Sequence, residues 1–192
     1  MLMPLPPSDQ KAICAMARTL DELFAFLDQL DDRASLHELT SELRDLDIDC
    51  DDVGEFVRFS ERGYMRNLVR AGPWYNVLVL CWKNGQRSPI HDHRGSSCGV
   101  RVLRGVATET LFEFAPNGHV CATTSLPRGP GGVTASQDSD MHQISNLQPG
   151  DADLVTLHVY SPPLLWMGTY SLTDRSRGQE PMFIEFYDAA GI

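Results

Sequence analysis

Two histidines one residue apart, His91 and His93, lie in the run Gly85-Gln-Arg-Ser-Pro-Ile-His91-Asp-His93-Arg-Gly-Ser-Ser-Cys98, and Gly105 follows. A strand turns alternate side chains to one face, so imidazoles at i and i+2 can bind a single metal ion. Pro89 and the flanking glycines are turn formers and put the pair near a strand end that a ligand can reach. His142, in a later segment that reads as a strand, offers a third imidazole. Three neutral imidazoles without a carboxylate would make a site with open coordination positions, suited to Fe, Zn, Cu or Ni without choosing among them. His37 falls on a predicted helix and His119 follows the turn Asn117-Gly118, so both are expected to face solvent. Thr156, His158 and Tyr160 alternate and so share one strand face, which we expect to point inward. Tyr64 and Arg66 also share a face, and a guanidinium offers paired N–H donors that match a carboxylate. The plain alternatives are an exposed strand arginine for Arg66 and a satisfied core histidine for His158.

These groups must be held by the elements around them. After an extended leader, Pro4 to Pro7, Ser8 is the expected N-cap of a helix. In it Ile13, Met16, Leu20, Leu23, Leu27 and Leu30 recur at helical spacing and form one apolar face. Ser35 is expected to cap a second helix carrying Leu36, Leu39, Leu43 and Leu46, and Val53 to Phe59 a short third. Their apolar stripes must be buried, so they are expected to cover an open end or outer face of a sheet. From Tyr64 the chain changes to short alternating, β-branched segments broken by Gly, Pro, Asn and Asp. Strands are predicted at Tyr64 to Arg70, Trp74 to Trp82, Ser88 to His93, Gly99 to Arg104, Ala107 to Phe114 and Cys121 to Leu126. Four more are predicted at Met141 to Asn146, Asp153 to Tyr160, Leu165 to Tyr170 and Met182 to Tyr187. The fold class is therefore mainly β: one domain over residues 1–192, with residues 1–60 a helical cap and 61–192 a barrel.

At 192 residues the chain is long enough to bury a core without covalent staples. Five cysteines at irregular positions, with no signal peptide and no long apolar run, argue against a disulfide scaffold and for a reducing cytoplasm. A net charge of −10 argues against nucleic acid or an anionic membrane as partner, since phosphate recognition needs a basic surface. Much of the acid clusters between Asp31 and Glu55 and reads as a solvated face. Cys14 and Cys81 read as inert buried thiols.

The spacing of Gly85, His91, His93, Cys98 and Gly105 resembles the first motif of the cupin superfamily, with Cys98 where a glutamate ligand usually stands. His142 with Asn146 resembles the second motif, whose Pro-x-Gly prefix is degraded here to Gln137-Asp-Ser139. A cysteine in place of the carboxylate looks like the thiol dioxygenases and above all the cysteine dioxygenase family. Four stretches agree with that family: Tyr64 to Val69, Asn76 to Trp82, Glu109 to Phe112 and Thr156 to Pro163. The likeness runs from about Tyr64 to Tyr187, and the first sixty residues match only in being helical.

The resemblance implies a cupin, a double-stranded β-helix or jelly-roll barrel, with N-terminal helices packed on it. It implies Fe(II) held by His91, His93 and His142, with L-cysteine and O2 as substrates and L-cysteine sulfinic acid as product. Arg66 and Tyr64 are then the carboxylate contacts. Thr156, His158 and Tyr160 stand where the family has a Ser-His-Tyr relay, with threonine replacing serine. Cys98 and Tyr160 match a pair joined by a thioether, and Ser161-Pro162 matches a cis bond. A monomer is the family default. Three other readings remain: a 3-mercaptopropionate dioxygenase, whose members tend to have glutamine at Arg66 and lack the cysteine; a non-catalytic cupin binding a metal or small acid; and a zinc or nickel cupin of the isomerase or lyase kind.

Overall fold

Thr19 and Ser35 start their helices in the same way. Each hydroxyl accepts from the backbone N–H three residues on, while Glu22 and Glu38 reach back to the N–H of Thr19 and Ser35. These reciprocal bonds satisfy amides that a first turn leaves free. The computed structural model describes residues 18–182. Within it α1 spans Leu20–Leu27 and α2 spans Leu36–Asp45. The long first helix expected from Ser8 is thus corrected. Ser8, Ile13 and Met16 lie outside the described residues, Thr19 is extended with ψ 167°, and the helix stops before Leu30. No basic residue sits in the last turn of α1, and Asp31 and Asp32 follow it, so nothing there favours its negative end. The third helix shrinks to a 3-10 turn, Gly54–Phe56.

Among the described residues eleven strands follow: β1 Met65–Gly72, β2 Tyr75–Trp82, β3 Ile90–His91, β4 Ser97–Arg104, β5 Ala107–Phe114, β6 Val120–Arg128, β7 Val133–Gln137, β8 Met141–Ser145, β9 Leu154–Ser161, β10 Trp166–Tyr170 and β11 Arg177–Pro181. They form a five-stranded sheet in the order β1-β2-β9-β4-β7 and a six-stranded sheet in the order β11-β10-β3-β8-β5-β6. Every pairing between them is antiparallel. β7 and β11 were not expected, because both are polar edge strands in which no apolar alternation can register. Of the predicted last strand, residues past Met182 lie outside the described set. No described helix is long and apolar enough to cross a membrane.

Packing assigns the faces. In β2 and β9 every residue is buried. Val77, Val79, Cys81, Val155, Leu157 and Val159 face a core shared with Leu23, Leu27, Leu39 and Leu43 of the helices. Leu78, Leu80, Trp82, Leu154 and Tyr160 face a second core with Cys98, Val100, Ile144 and Met167, between the sheets. The helices therefore cover the outer face of the first sheet, and the site forms on its inner face. Two motif glycines bracket this region at positive φ, Gly85 at 81° and Gly105 at 80°. At Gly105 an added Cβ would also lie 2.6 Å from the carbonyl oxygen of Asp153, so only glycine fits.

Candidate metal centre and substrate pocket

His91 and His142 face each other directly as register partners of β3 and β8. His93 does not sit on the same strand. β3 ends at His91, and His93 is carried by the loop that follows, which corrects the expected i, i+2 placement on one strand. That loop is held by its backbone: the N–H groups of His93 and Arg94 donate to the Asp138 carbonyl at 2.9 and 3.1 Å. The helical cap reaches in here as well. Arg33, between α1 and α2, donates to Asp138 Oδ1 and to Ser97 Oγ, both at 2.8 Å.

The three buried imidazoles offer ligand atoms that all lie within 4.8 Å of one another. Each uses Nδ1 elsewhere. His91 Nδ1 lies 3.0 Å from the Pro89 carbonyl and His142 Nδ1 lies 3.1 Å from Glu109 Oε1. A carbonyl and a carboxylate only accept, so both Nδ1 atoms carry the proton and both Nε2 lone pairs are free. His93 Nδ1 lies 3.4 Å from Ser136 Oγ, and its Nε2 is buried with no hydrogen-bond partner. An orphaned buried ring nitrogen beside two free lone pairs is what a metal ion would satisfy. Burial, and then the neighbouring His142, hold His91 and His93 well below the usual imidazole range, so both stay neutral and able to ligate.

Glu109, on β5, is the residue that reading the chain did not single out. Burial pushes its carboxyl up, but hydrogen bonds from His142, Thr134 and Arg128 more than offset this and hold it at about 2. Arg128 Nε donates at 2.9 Å and the Thr134 hydroxyl at 2.8 Å. A signal was available, since Glu109 shares strand parity with buried Ala107. A carboxylate on an inward position needs partners.

On the opposite wall, β9 turns Thr156, His158 and Tyr160 inward, all buried. Thr156 Oγ1 lies 2.9 Å from His158 Nε2, and His158 Nδ1 lies 3.3 Å from the Tyr160 hydroxyl. Burial, with His142 and Arg66 nearby, lowers His158 to about 3. Cys98 and Tyr160 are directly paired across β4 and β9. Burial raises both, and for Tyr160 the neighbouring Cys98 adds to it, so thiol and phenol are protonated at rest. The Ser161-Pro162 bond is cis.

Arg66, on β1, hydrogen-bonds the Tyr64 hydroxyl, and its Nη2 lies 3.9 Å from Met167 Sδ. Both line an inner cavity with His91, His142, Cys98, His158 and Tyr160. The same two residues also line an outer mouth of about 300 Å³ together with Met167 and Glu180. A ligand entering from the mouth passes the guanidinium before it meets the imidazoles. His37, by contrast, is exposed on α2.

A two-sheet antiparallel barrel that clusters three imidazoles, two of them lining an internal cavity, defines a metal-binding cupin. A family model described as "Cysteine dioxygenase type I" matches residues 9–173. Cysteine dioxygenase type 1 of Danio rerio is 32% identical over 76% of this chain and 75% of its own length. That of Homo sapiens is 31% identical over 91% of this chain and 89% of its own length. The chain belongs to the cysteine dioxygenase type I family. Among solved structures, an uncharacterized Klebsiella pneumoniae protein with a double-stranded β-helix domain is similar with a TM-score of 0.46, at 20% identity over 57% of this chain and 86% of that one.

Proposed function

We propose that this enzyme is an iron(II) thiol dioxygenase that converts L-cysteine to L-cysteine sulfinic acid. The observation that carries the reading is one cavity lined at once by two of the clustered imidazoles, by the Arg66 guanidinium and by the buried His158-Tyr160 pair. RSH + O2 → RSO2H balances without an outside reductant, since both oxygen atoms end on sulfur. His91, His93 and His142 would hold the metal. When bound, iron(II) would supply the redox chemistry that lets dioxygen react with a thiol, and would favour the thiolate.

The remaining work falls to the chain's own side chains. Arg66 and Tyr64 orient the substrate by its carboxylate, which fixes where the sulfur can lie. Tyr160, protonated at rest, can donate its phenol proton toward an oxygen acceptor in the cavity, and His158 holds the ring in place. Sealing this inner cavity with Leu80, Trp82 and Ile144 limits water, which strengthens each polar contact made inside it. The facing Cys98 and Tyr160 suit a thioether formed during turnover, with the loss of two hydrogens to dioxygen. We read residues 1–192 as one functional unit, since Arg33 of the helical cap braces the loop of a metal ligand. A monomer in the reducing cytoplasm fits the free Cys50, Cys81, Cys98 and Cys121.

The test is metal analysis together with oxygen uptake on L-cysteine, 3-mercaptopropionate and cysteamine. Iron-dependent uptake should be fastest with L-cysteine, and Arg66→Ala should cost about 10- to 100-fold in kcat/KM, the worth of a charged hydrogen bond. An Arg66→Ala enzyme that handled L-cysteine as well as the native one would place the clamp elsewhere. Faster turnover of 3-mercaptopropionate by the native enzyme would replace the substrate.

A further inference from the structure

The relay on β9 does not end at Thr156. Trp82 Nε1 lies 3.0 Å from Thr156 Oγ1, and both side chains are buried. An indole N–H can only donate, so the threonine oxygen accepts this bond and its single proton must go elsewhere. Among the described residues, the only other partner of that hydroxyl is His158 Nε2, at 2.9 Å. If the imidazole donated instead, a buried hydroxyl proton would be left with no acceptor. His158 therefore carries its proton on Nδ1 and donates it to the Tyr160 oxygen, 3.3 Å away. The phenol's own proton is then directed away from His158, toward Cys98 or a ligand in the cavity. The indole face has a second contact. It stacks on the Tyr64 ring with centroids 4.1 Å apart and planes within 11°, and Tyr64 in turn accepts from Arg66.

We propose that Trp82 is a two-armed positioning residue: its N–H sets the direction of the Thr156-His158-Tyr160 hydrogen bonds, and its ring face backs the Tyr64-Arg66 clamp. Its own place is secured from behind. Asn146, the second-motif asparagine, donates to the Trp82 carbonyl at 3.0 Å and to the Ala152 carbonyl at 2.8 Å. The thiol dioxygenase reading supplies the reaction on which the two arms act. The hydrogen-bond direction is a property of the protein with or without that substrate.

The first measurement needs no substitution and no substrate. In zinc-loaded, diamagnetic protein labelled with 15N-histidine, His158 should show a protonated Nδ1 and an unprotonated Nε2. The opposite tautomer overturns the proposal whatever the enzyme's substrate proves to be. The second measurement separates the arms in the iron enzyme. Trp82→Phe keeps the ring face and removes the donor, so kcat should fall about 3- to 10-fold, the worth of one neutral hydrogen bond, with KM for L-cysteine unchanged. Trp82→Leu removes both and should raise KM as well. Thr156→Val should lower kcat as Trp82→Phe does, and the two together should lower it no further. Additive losses, or a Trp82→Phe variant with native kcat, overturn it.

Discussion

In β2 and β9 of the first sheet every residue is buried, whereas along β6 of the second sheet only Val120 is. The helices lie on the outer face of the first sheet. On the second sheet Leu111, Phe114 and Leu126 remain 40 to 45% exposed. The chemistry is divided in the same way. The second sheet brings His91 and His142, and the first brings Arg66, Cys98 and the three relay residues. Where both faces are packed, side chains are positioned by the strand itself, at every second residue. In the second sheet and the loop after β3, each imidazole has a partner of its own at Nδ1: the Pro89 carbonyl, Ser136 or Glu109.

The sharpest way to break this comparison is on the metal side. His142→Ala should abolish metal retention and with it L-cysteine-dependent oxygen uptake, as read by elemental analysis and an oxygen electrode. Full metal content in that variant would show that a ligand had been misassigned. Next in size is stability. Leu157→Ala opens a cavity between β9 and the helices and should cost about 2 to 5 kcal/mol in denaturant unfolding. Leu126→Ala on the exposed edge strand β6 should stay within about 0.5 kcal/mol. Similar losses at the two positions would mean that the second sheet is covered in solution.

Glu109→Gln keeps the shape of the His142 partner while removing its charge, and should weaken metal affinity about 10- to 100-fold, measured by competition with a chelator. An unchanged affinity would mean that packing orients His142 after all, and the contrast between the sheets would fade. The smallest effect is expected on the packed side. Cys98→Gly should leave an active enzyme, slower by a few-fold. Native protein after turnover should lose two hydrogens in the peptides holding Cys98 and Tyr160, by mass spectrometry.

How much of this can be read from the chain alone follows from the same contrast. β2 and β9 carry long runs of apolar and β-branched residues, and their relay and core positions separate by parity. β7 and β11 are short polar edge strands with no such signal. His91, His93 and His142 are legible by spacing, yet the strand expected to hold His93 ends two residues early, because that imidazole is placed by the Asp138 carbonyl. Glu109 is remote in sequence from His142, 33 residues away, and only the register of β5 against β8 brings them together.

Because β9 uses its two faces for unrelated purposes, it behaves like text in a reading frame. Val155, Leu157 and Val159 hold the helices, and Thr156, His158 and Tyr160 serve the cavity. Deleting or inserting one residue between Leu154 and Tyr160 would exchange the two sets, pressing polar groups into the helix core and valines against the metal. Such a slip loses fold and chemistry together, so length changes in this strand have no graded route to a new activity. Divergence in specificity has to come by substitution or from the rim, where Met167, Glu180 and Pro181 line the mouth without sharing that double duty.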